Sequence, residues 1–261
     1  MTVELIGPRP RLTGGRHVAK TGRMRIEGAV VLVTGASSGI GAATARLAAA
    51  RGARVVLAAR RRERIEALAG ELPDAVAVPT DVTDIEQMRA MVAAALERYG
   101  RVDVLVNNAG QGLHVPIESI DLDDLRAVFE LNVVAALAAM QAVVPVMRRQ
   151  GGGSIVNVSS GTTLFTPSGT GGYAATKSAL NMLSSVARAE LADDGIVVST
   201  VYPFITATEF HQSLRAGAGP SGPRRPGLEP QSAEHVAEKI LELVESGEEQ
   251  SVLVPEGLLR R

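Results

Sequence analysis

The chain has 261 residues, 46% hydrophobic and 21% charged, with a formal net charge of −1. That is enough for one sizeable domain with a full core, and it gives nucleic acid or an anionic membrane no electrostatic hold. There is no cysteine, which excludes disulfides, zinc–thiolate sites and a thiol nucleophile and suits a reducing cytoplasm.

Residues 1–25 are basic and carry Gly-Pro and Gly-Gly turns with little periodicity. They read as a flexible arm, or as residues ahead of a start at Met24, and not as a secretory signal. From there, apolar runs alternate with helix-period segments. Strands are predicted at Ala29–Val33, Arg54–Ala58, Ala75–Val78, Val102–Val106, Ser154–Val158, Ile196–Val201 and Ser251–Val254. Helices are predicted at Gly39–Arg51, Arg62–Glu71, Asp84–Tyr99, Leu122–Arg149, Gly172–Asp193 and Ala233–Ser246. A capping box of Thr83 and Glu86 is expected to open the third helix. The strands are continuous Val, Ile, Leu and Ala, as expected where helices cover both faces of a parallel sheet. The alternation implies βαβ units and a doubly wound α/β fold. The most apolar stretch, Val133–Met147, is interrupted by Gln141 and Pro145, short of the roughly 18 residues that read as a membrane span. A Gly/Pro-dense stretch at Arg215–Pro230 reads as a lid or a disordered loop.

Between the first strand and first helix lies Thr34-Gly35-Ala36-Ser37-Ser38-Gly39-Ile40-Gly41. Glycines here let the backbone approach a pyrophosphate, and the helix N-terminus adds partial positive charge. The spacing is G-x-x-x-G-x-G, so the position at the first βα turn carries more weight than the pattern itself. The second strand ends Ala58-Ala59-Arg60-Arg61-Arg62. It has no acid to hold a ribose 2′-OH, and guanidinium groups suit a 2′-phosphate. The pattern favours NADP(H) over NAD(H), because arginines that merely solvated a helix start would oppose its dipole.

Tyr173 and Lys177 stand at i and i+4 of one predicted helix and share a face. With three tyrosines in the chain, and arginine making up 24 of its 27 Lys+Arg residues, such a pair is rare by chance. Ser160 follows the fifth strand, at the strand end where open α/β sheets place ligands. The four histidines, His17, His114, His211 and His235, show no metal-ligand spacing. No metal is expected, and each histidine reads as structural or exposed.

Thr34–Gly41, Asn107-Asn108-Ala109-Gly110, Asn132, Ser160 and Tyr173-x-x-x-Lys177, in this order, resemble the single-domain branch of the short-chain dehydrogenase/reductase family over about Gly28–Val254. The resemblance implies a Rossmann-like seven-stranded parallel sheet in order 3-2-1-4-5-6-7. Residues 26–261 would then be one dinucleotide-binding catalytic domain, with a lid at about 204–230. Tyr173 would be the general acid or base. Lys177 would bind the nicotinamide ribose and make the phenol more acidic. Ser160 would bond the substrate oxygen, and Asn132 would hold a water in a proton relay. The cofactor would lie along Gly35, Ser37, Ser38, Gly39, Ile40, Gly41, Arg60, Arg61, Asp81, Val82, Asn108, Ala109 and Gly110. Ser159 is the alternative to Ser160, one serine capping the strand end while the other acts. After the sixth strand the family pattern Pro-Gly-x-Val-x-Thr becomes Pro203-Phe204-Ile205-Thr206-Ala207-Thr208. By the resemblance Pro203, Thr206 and Thr208 would keep their place on the cofactor, and Phe204 would alter the turn.

Leu164, Phe165, Phe204, Ile205 and Phe210 suggest an apolar pocket for a small ketone or secondary alcohol, with Gln111 and His114 as further candidate lining. The same residues could equally pack the core or the lid. The resemblance also implies a homodimer or homotetramer through the two long apolar helices. A non-catalytic NADP(H)-binding sensor would not need Ser160, Tyr173 and Lys177 together. A nucleotide-sugar epimerase would need a larger substrate domain, and an enoyl reductase a wider Tyr–Lys spacing.

Overall fold

The structure is a computed structural model and describes residues 24–165, 167–218, 229–255 and Leu258. The expected N-terminal arm, apart from Met24 and Arg25, and residues 219–228 of the expected lid lie outside the described residues.

Seven strands form one parallel sheet: β1 (Val30–Thr34), β2 (Arg54–Ala59), β3 (Ala75–Pro79), β4 (Val104–Asn107), β5 (Gly153–Val158), β6 (Ile196–Tyr202) and β7 (Gln250–Val252). Their spatial order is β3-β2-β1-β4-β5-β6-β7, the order that the family resemblance implies. Seven helices connect them: α1 (Gly39–Ala50), α2 (Arg62–Glu71), α3 (Ile85–Tyr99), α4 (Leu122–Phe129), α5 (Ala135–Gln150), α6 (Gly171–Glu190) and α7 (Ala233–Ser246). The central strands β1, β4 and β5 are buried throughout, because helices pack on both faces. One core joins Val31, Val33, Leu57 and Val156 to α1 and α7. The other joins Leu32, Leu105 and Ile155 to α3 and α5.

Predicted boundaries hold to within a few residues, with three differences of physical interest. The N-cap of α3 is Asp84 and not Thr83: its carboxylate accepts from the Glu86 and Gln87 amides. The reciprocal bond of a box is not made, because the Asp84 amide donates to the Asp81 carbonyl. Gln87, at N3, replaces Glu86, donating to Asp84 and accepting from the Asp81 amide, while the Thr83 hydroxyl donates to Asp81. Asp ranks above Thr at an N-cap, and its carboxylate also favours the helix dipole.

The long helix predicted at Leu122–Arg149 is continuous from Leu122 to Gln150 but widens into a π-turn at Glu130–Val134. By length and composition it could cross a membrane, which the interrupted apolar run did not suggest. It is half buried, and its α5 portion packs Ala139, Val143 and Met147 into the core. The final helical turns predicted for α6 tighten into a 3₁₀ turn at Ala192–Asp194.

Two buried polar contacts join strands to their surroundings. Asp103 accepts from the Val30 amide at 2.8 Å and from the Arg101 guanidinium. Asn107 and Asn157 face each other across β4 and β5; Asn107 donates to Asn157 and to the Ala136 carbonyl, and Asn157 donates to Ser184. These bonds fix α5 and α6 against the strand ends where ligands bind.

The segment after β6 folds back over that end. The Gln111 side chain donates to the Ser213 carbonyl and the Arg215 amide to the Gly112 carbonyl. Leu113–His114 then pairs in parallel with Ala216–Gly217.

Candidate active site

A cleft of about 460 Å³ opens at the C-terminal ends of the strands, between the β1 and β4 turns, where the winding of the sheet reverses. One end is bordered by Arg60, Arg61, Thr80, Asp81 and Val82, and the other by Ser160, Tyr173, Phe204 and Ile205. The glycine turn forms its floor. Gly35 and Gly39 have φ of +66° and +52°, accessible to glycine without strain. A Cβ on Gly35 would come within 2.9 Å of the Ala109 Cα. Gly41 lies behind the residues that line the cleft. A Cβ there would overlap the Gly35 carbonyl oxygen and reach 2.6 Å from the Asn108 Nδ2, so its smallness serves the turn itself. Asn108 donates to the Thr34 and Gly35 carbonyls, and the Thr34 hydroxyl accepts from the Asn108 and Ala109 amides.

The N-terminus of α1 carries no side-chain cap. The hydroxyls of Ser37 and Ser38, which could cap it, accept instead from the Arg61 guanidinium. The helix therefore presents uncapped amides and its dipole to the cleft. This donor set fits the pyrophosphate of a nicotinamide dinucleotide, and the cleft's length along several strand ends fits an extended ligand. Arg61 also pairs with Glu209, as does Arg64, and these two guanidinium groups hold the Glu209 carboxyl below its usual range. Arg60 lines the cleft, is exposed and makes no ion pair among the described residues.

At the other end, Tyr173 is 6% exposed. Burial pushes its phenol up to about 12, opposed by a hydrogen bond with Ser160. Lys177, 4% exposed, donates to the Val158 carbonyl at 2.9 Å. Burial brings its ammonium down to about 8. Lys177 is not among the groups that shift the Tyr173 phenol in the protein alone. The desolvation of both groups dominates, and the ammonium is turned onto a carbonyl. Lys177 lies beneath Gly110, where a Cβ would be 3.3 Å from its Nζ.

Asn132, in the π-turn, accepts from the Gln111 amide and donates to the Gln111 carbonyl and the Thr176 hydroxyl. Its side chain anchors the loop that follows Gly110. Ser159 and Ser160 have separate tasks. The buried Ser159 hydroxyl donates to Asn181 of α6, whereas Ser160 caps the turn Gly161–Thr163 and meets Tyr173. Pro203, Thr206 and Thr208 line the cleft. Thr206 donates to the Phe204 carbonyl, and Thr208 caps the 3₁₀ turn Glu209–Gln212.

Of the expected apolar lining, Phe165, Phe204, Ile205 and Phe210 face the cleft; Leu164, 40% exposed, does not. Gln111, His114 and His211 line it as well, so His114 and His211 are neither core packing nor plain surface. Sequence reasoning missed Glu209, His211, Asn157 and Asn181, which lie far from the residues they contact.

A family model described as short chain dehydrogenase matches residues 29–219. The 2,5-dichloro-2,5-cyclohexadiene-1,4-diol dehydrogenase LinX of Sphingobium indicum is 33% identical over 183 residues, covering 69% of this chain and 73% of that protein. A short-chain dehydrogenase/reductase of Burkholderia phymatum, solved with NAD, superposes with a TM-score of 0.80 at 26% identity, covering 89% of this chain and 91% of that one. A 7α-hydroxysteroid dehydrogenase, solved with NADH and 7-oxo glycochenodeoxycholic acid, gives 0.81 at 26% identity, covering 92% and 98%. With the model matching most of its length and the sheet order agreeing, the chain belongs to the short-chain dehydrogenase/reductase family and is an NAD(P)-dependent oxidoreductase.

Proposed function

We propose that the protein moves a hydride between NADP(H) and a small apolar ketone or its secondary alcohol, with Tyr173 as general acid for reduction and general base for oxidation. The observation that carries this reading is that Tyr173 and Ser160 together line the end of a cleft that begins at an uncapped helix N-terminus. When bound, the nicotinamide supplies or accepts the hydride. The chain's own residues place the substrate and manage the proton. Ser160 donates to the substrate oxygen, and Tyr173 gives that oxygen a proton as the carbonyl becomes an alcohol. A phenol at about 12 keeps its proton at neutral pH, which suits the reductive direction. Lys177 contributes a buried positive charge below its deprotonation at about 8, and Asn132 holds the adjoining loop in place. The relatives named for a cyclic diol and a hydroxysteroid support a secondary alcohol carried on a ring.

The preference for NADP(H) rests on Arg60, a guanidinium on the cleft with no ion pair among the described residues, and on the absence of a carboxylate at the end of β2. An NAD-preferring enzyme is the second reading, favoured by the NAD and NADH of the solved neighbours and by Glu209 beside Arg61. Equilibrium titration with NADPH and NADH separates the two. NADPH is expected to bind about tenfold tighter or more, since a charge-assisted hydrogen bond is worth about 1.5–3 kcal/mol. Arg60→Ala should remove most of that margin. Glu209→Gln should tighten NADPH more than NADH by removing a negative charge near the phosphate. Equal binding of the two nucleotides would overturn the NADP(H) assignment.

Met182 and Val186 lie one turn apart on α6, 68% and 46% exposed. An exposed apolar face on this helix supports a homo-oligomer, with a tetramer as the expected state. Light scattering at micromolar concentration should return a multiple of the 27.2 kDa chain mass; a monomeric mass would count against the assembly.

A further inference from the structure

The cleft beside Tyr173 is not uniformly apolar. His114 and His211, far apart in the chain, come together there with ring centroids 5.8 Å apart. The His114 ring lies 6.1 Å from the Tyr173 ring, and Phe210 packs 5.6 Å from both Tyr173 and His211. His211 Nδ1 is buried and has no hydrogen-bond partner among the described residues. An unpaired buried nitrogen is costly and calls for an explanation. One edge of the His114 ring faces the Ala218 backbone, and among the described residues no side chain bonds its nitrogens. No carboxylate bonds either ring among the described residues; the neighbouring Glu209 is held by Arg61 and Arg64, and Asp124 by Arg215.

We propose that His114 and His211 form a second recognition point for the substrate and take a hydroxyl group set across a ring from the carbon that exchanges the hydride. The inference rests on the hydride-transfer reading of the same cleft and names the substrate class within it: a cyclic hydroxyketone, or the corresponding diol. With their centroids 5.8 Å apart, the two rings are close enough for one hydroxyl to hydrogen-bond a nitrogen of each. Burial disfavours the charged imidazolium in both rings, and in His211 the nearby His114 adds to this. Each ring is then neutral, with one donor and one acceptor nitrogen. A hydroxyl, itself both donor and acceptor, can satisfy the pair, whereas a carboxylate would need an imidazolium. The walls formed by Phe165, Phe204 and Phe210 suit the flat, apolar body of a ring between the two polar ends.

Two probes test this: cyclohexanone and 4-hydroxycyclohexanone, each measured for turnover with the reduced cofactor and for binding, by thermal shift, to the complex with oxidised cofactor. The wild-type enzyme is expected to favour the hydroxylated probe by about tenfold in kcat/KM, the effect of one well-placed hydrogen bond. That ratio should fall towards one in His211→Phe and in His114→Phe. It should be partly restored in His211→Gln, which keeps a side-chain donor and acceptor. Circular dichroism reports whether each variant is folded. Turnover of both probes with no preference in the wild type, or a preference that survives both Phe variants, overturns the histidine pair and leaves the reaction assignment standing. Preferential binding of the hydroxylated probe without turnover supports the pair and overturns the reaction assignment. Failure of the wild-type complex to bind either probe overturns the pair as a site for this substrate class.

Discussion

Tyr173→Phe is expected to lower kcat for carbonyl reduction by about 10²- to 10⁴-fold while cofactor binding is retained, the usual size of a general acid's contribution. The phenol ring packs among Leu113, Val128 and Phe210, and phenylalanine keeps that shape. The hydroxyl faces Ser160 and forms no part of the core packing, so the variant loses the proton donor without opening a cavity. The pH dependence follows from the same burial. A phenol held near 12 donates across the neutral range. Alcohol oxidation needs the phenolate, whose population in the free enzyme grows about tenfold per pH unit below that value. Oxidation should therefore rise steeply between pH 7 and 10, and reduction should not. Stopped-flow turnover in both directions, with nucleotide titration of the variant, makes the comparison. A Tyr173→Phe enzyme that is folded, binds cofactor and reduces its substrate at the wild-type rate would end the assignment of Tyr173.

The second large effect belongs to the glycine turn. Gly41→Ala is expected to weaken nicotinamide-cofactor binding by roughly ten- to a hundredfold, the equivalent of about 1–3 kcal/mol of overpacking strain. The added methyl would meet the Gly35 carbonyl and the Asn108 amide. These are the groups that close the turn at the floor of the cleft, and backbone yields less readily than the end of a flexible side chain. Gly70→Ala provides the contrast. It lies within α2 with nothing near its missing Cβ, and alanine there should stabilise the helix by up to about 1 kcal/mol. Fluorescence titration and thermal melting of the two variants distinguish a local defect in the turn from general loss of stability. Unimpaired binding by Gly41→Ala would show that the turn does not depend on that close approach.

The α/β architecture could be read from the chain because its signals are local. A strand covered on both faces is a continuous apolar run, and a helix has its own period, so alternation of the two implies parallel crossovers. The glycine turn was visible for the same reason: three glycines must lie within a few residues of one another to let one turn close. Even a local signal failed where two readings lay one residue apart. Thr83 and Asp84 are both acceptable N-caps, and the backbone adopted the one whose carboxylate reaches two amides.

The chain by itself determined the seven strands and their connecting helices, the glycine turn and the Tyr173–Lys177 spacing, all of which follow from residues close in sequence. Only the tertiary structure decided which distant groups meet. It alone pairs His114 with His211, Arg61 with Glu209, and Asn107 with Asn157. It also decided the protonation of the site. No spacing of Tyr and Lys reveals that both are buried, and it is their removal from water that raises the phenol and lowers the ammonium. Desolvation depends on everything packed around a group, and that packing exists only once the whole chain has closed over it.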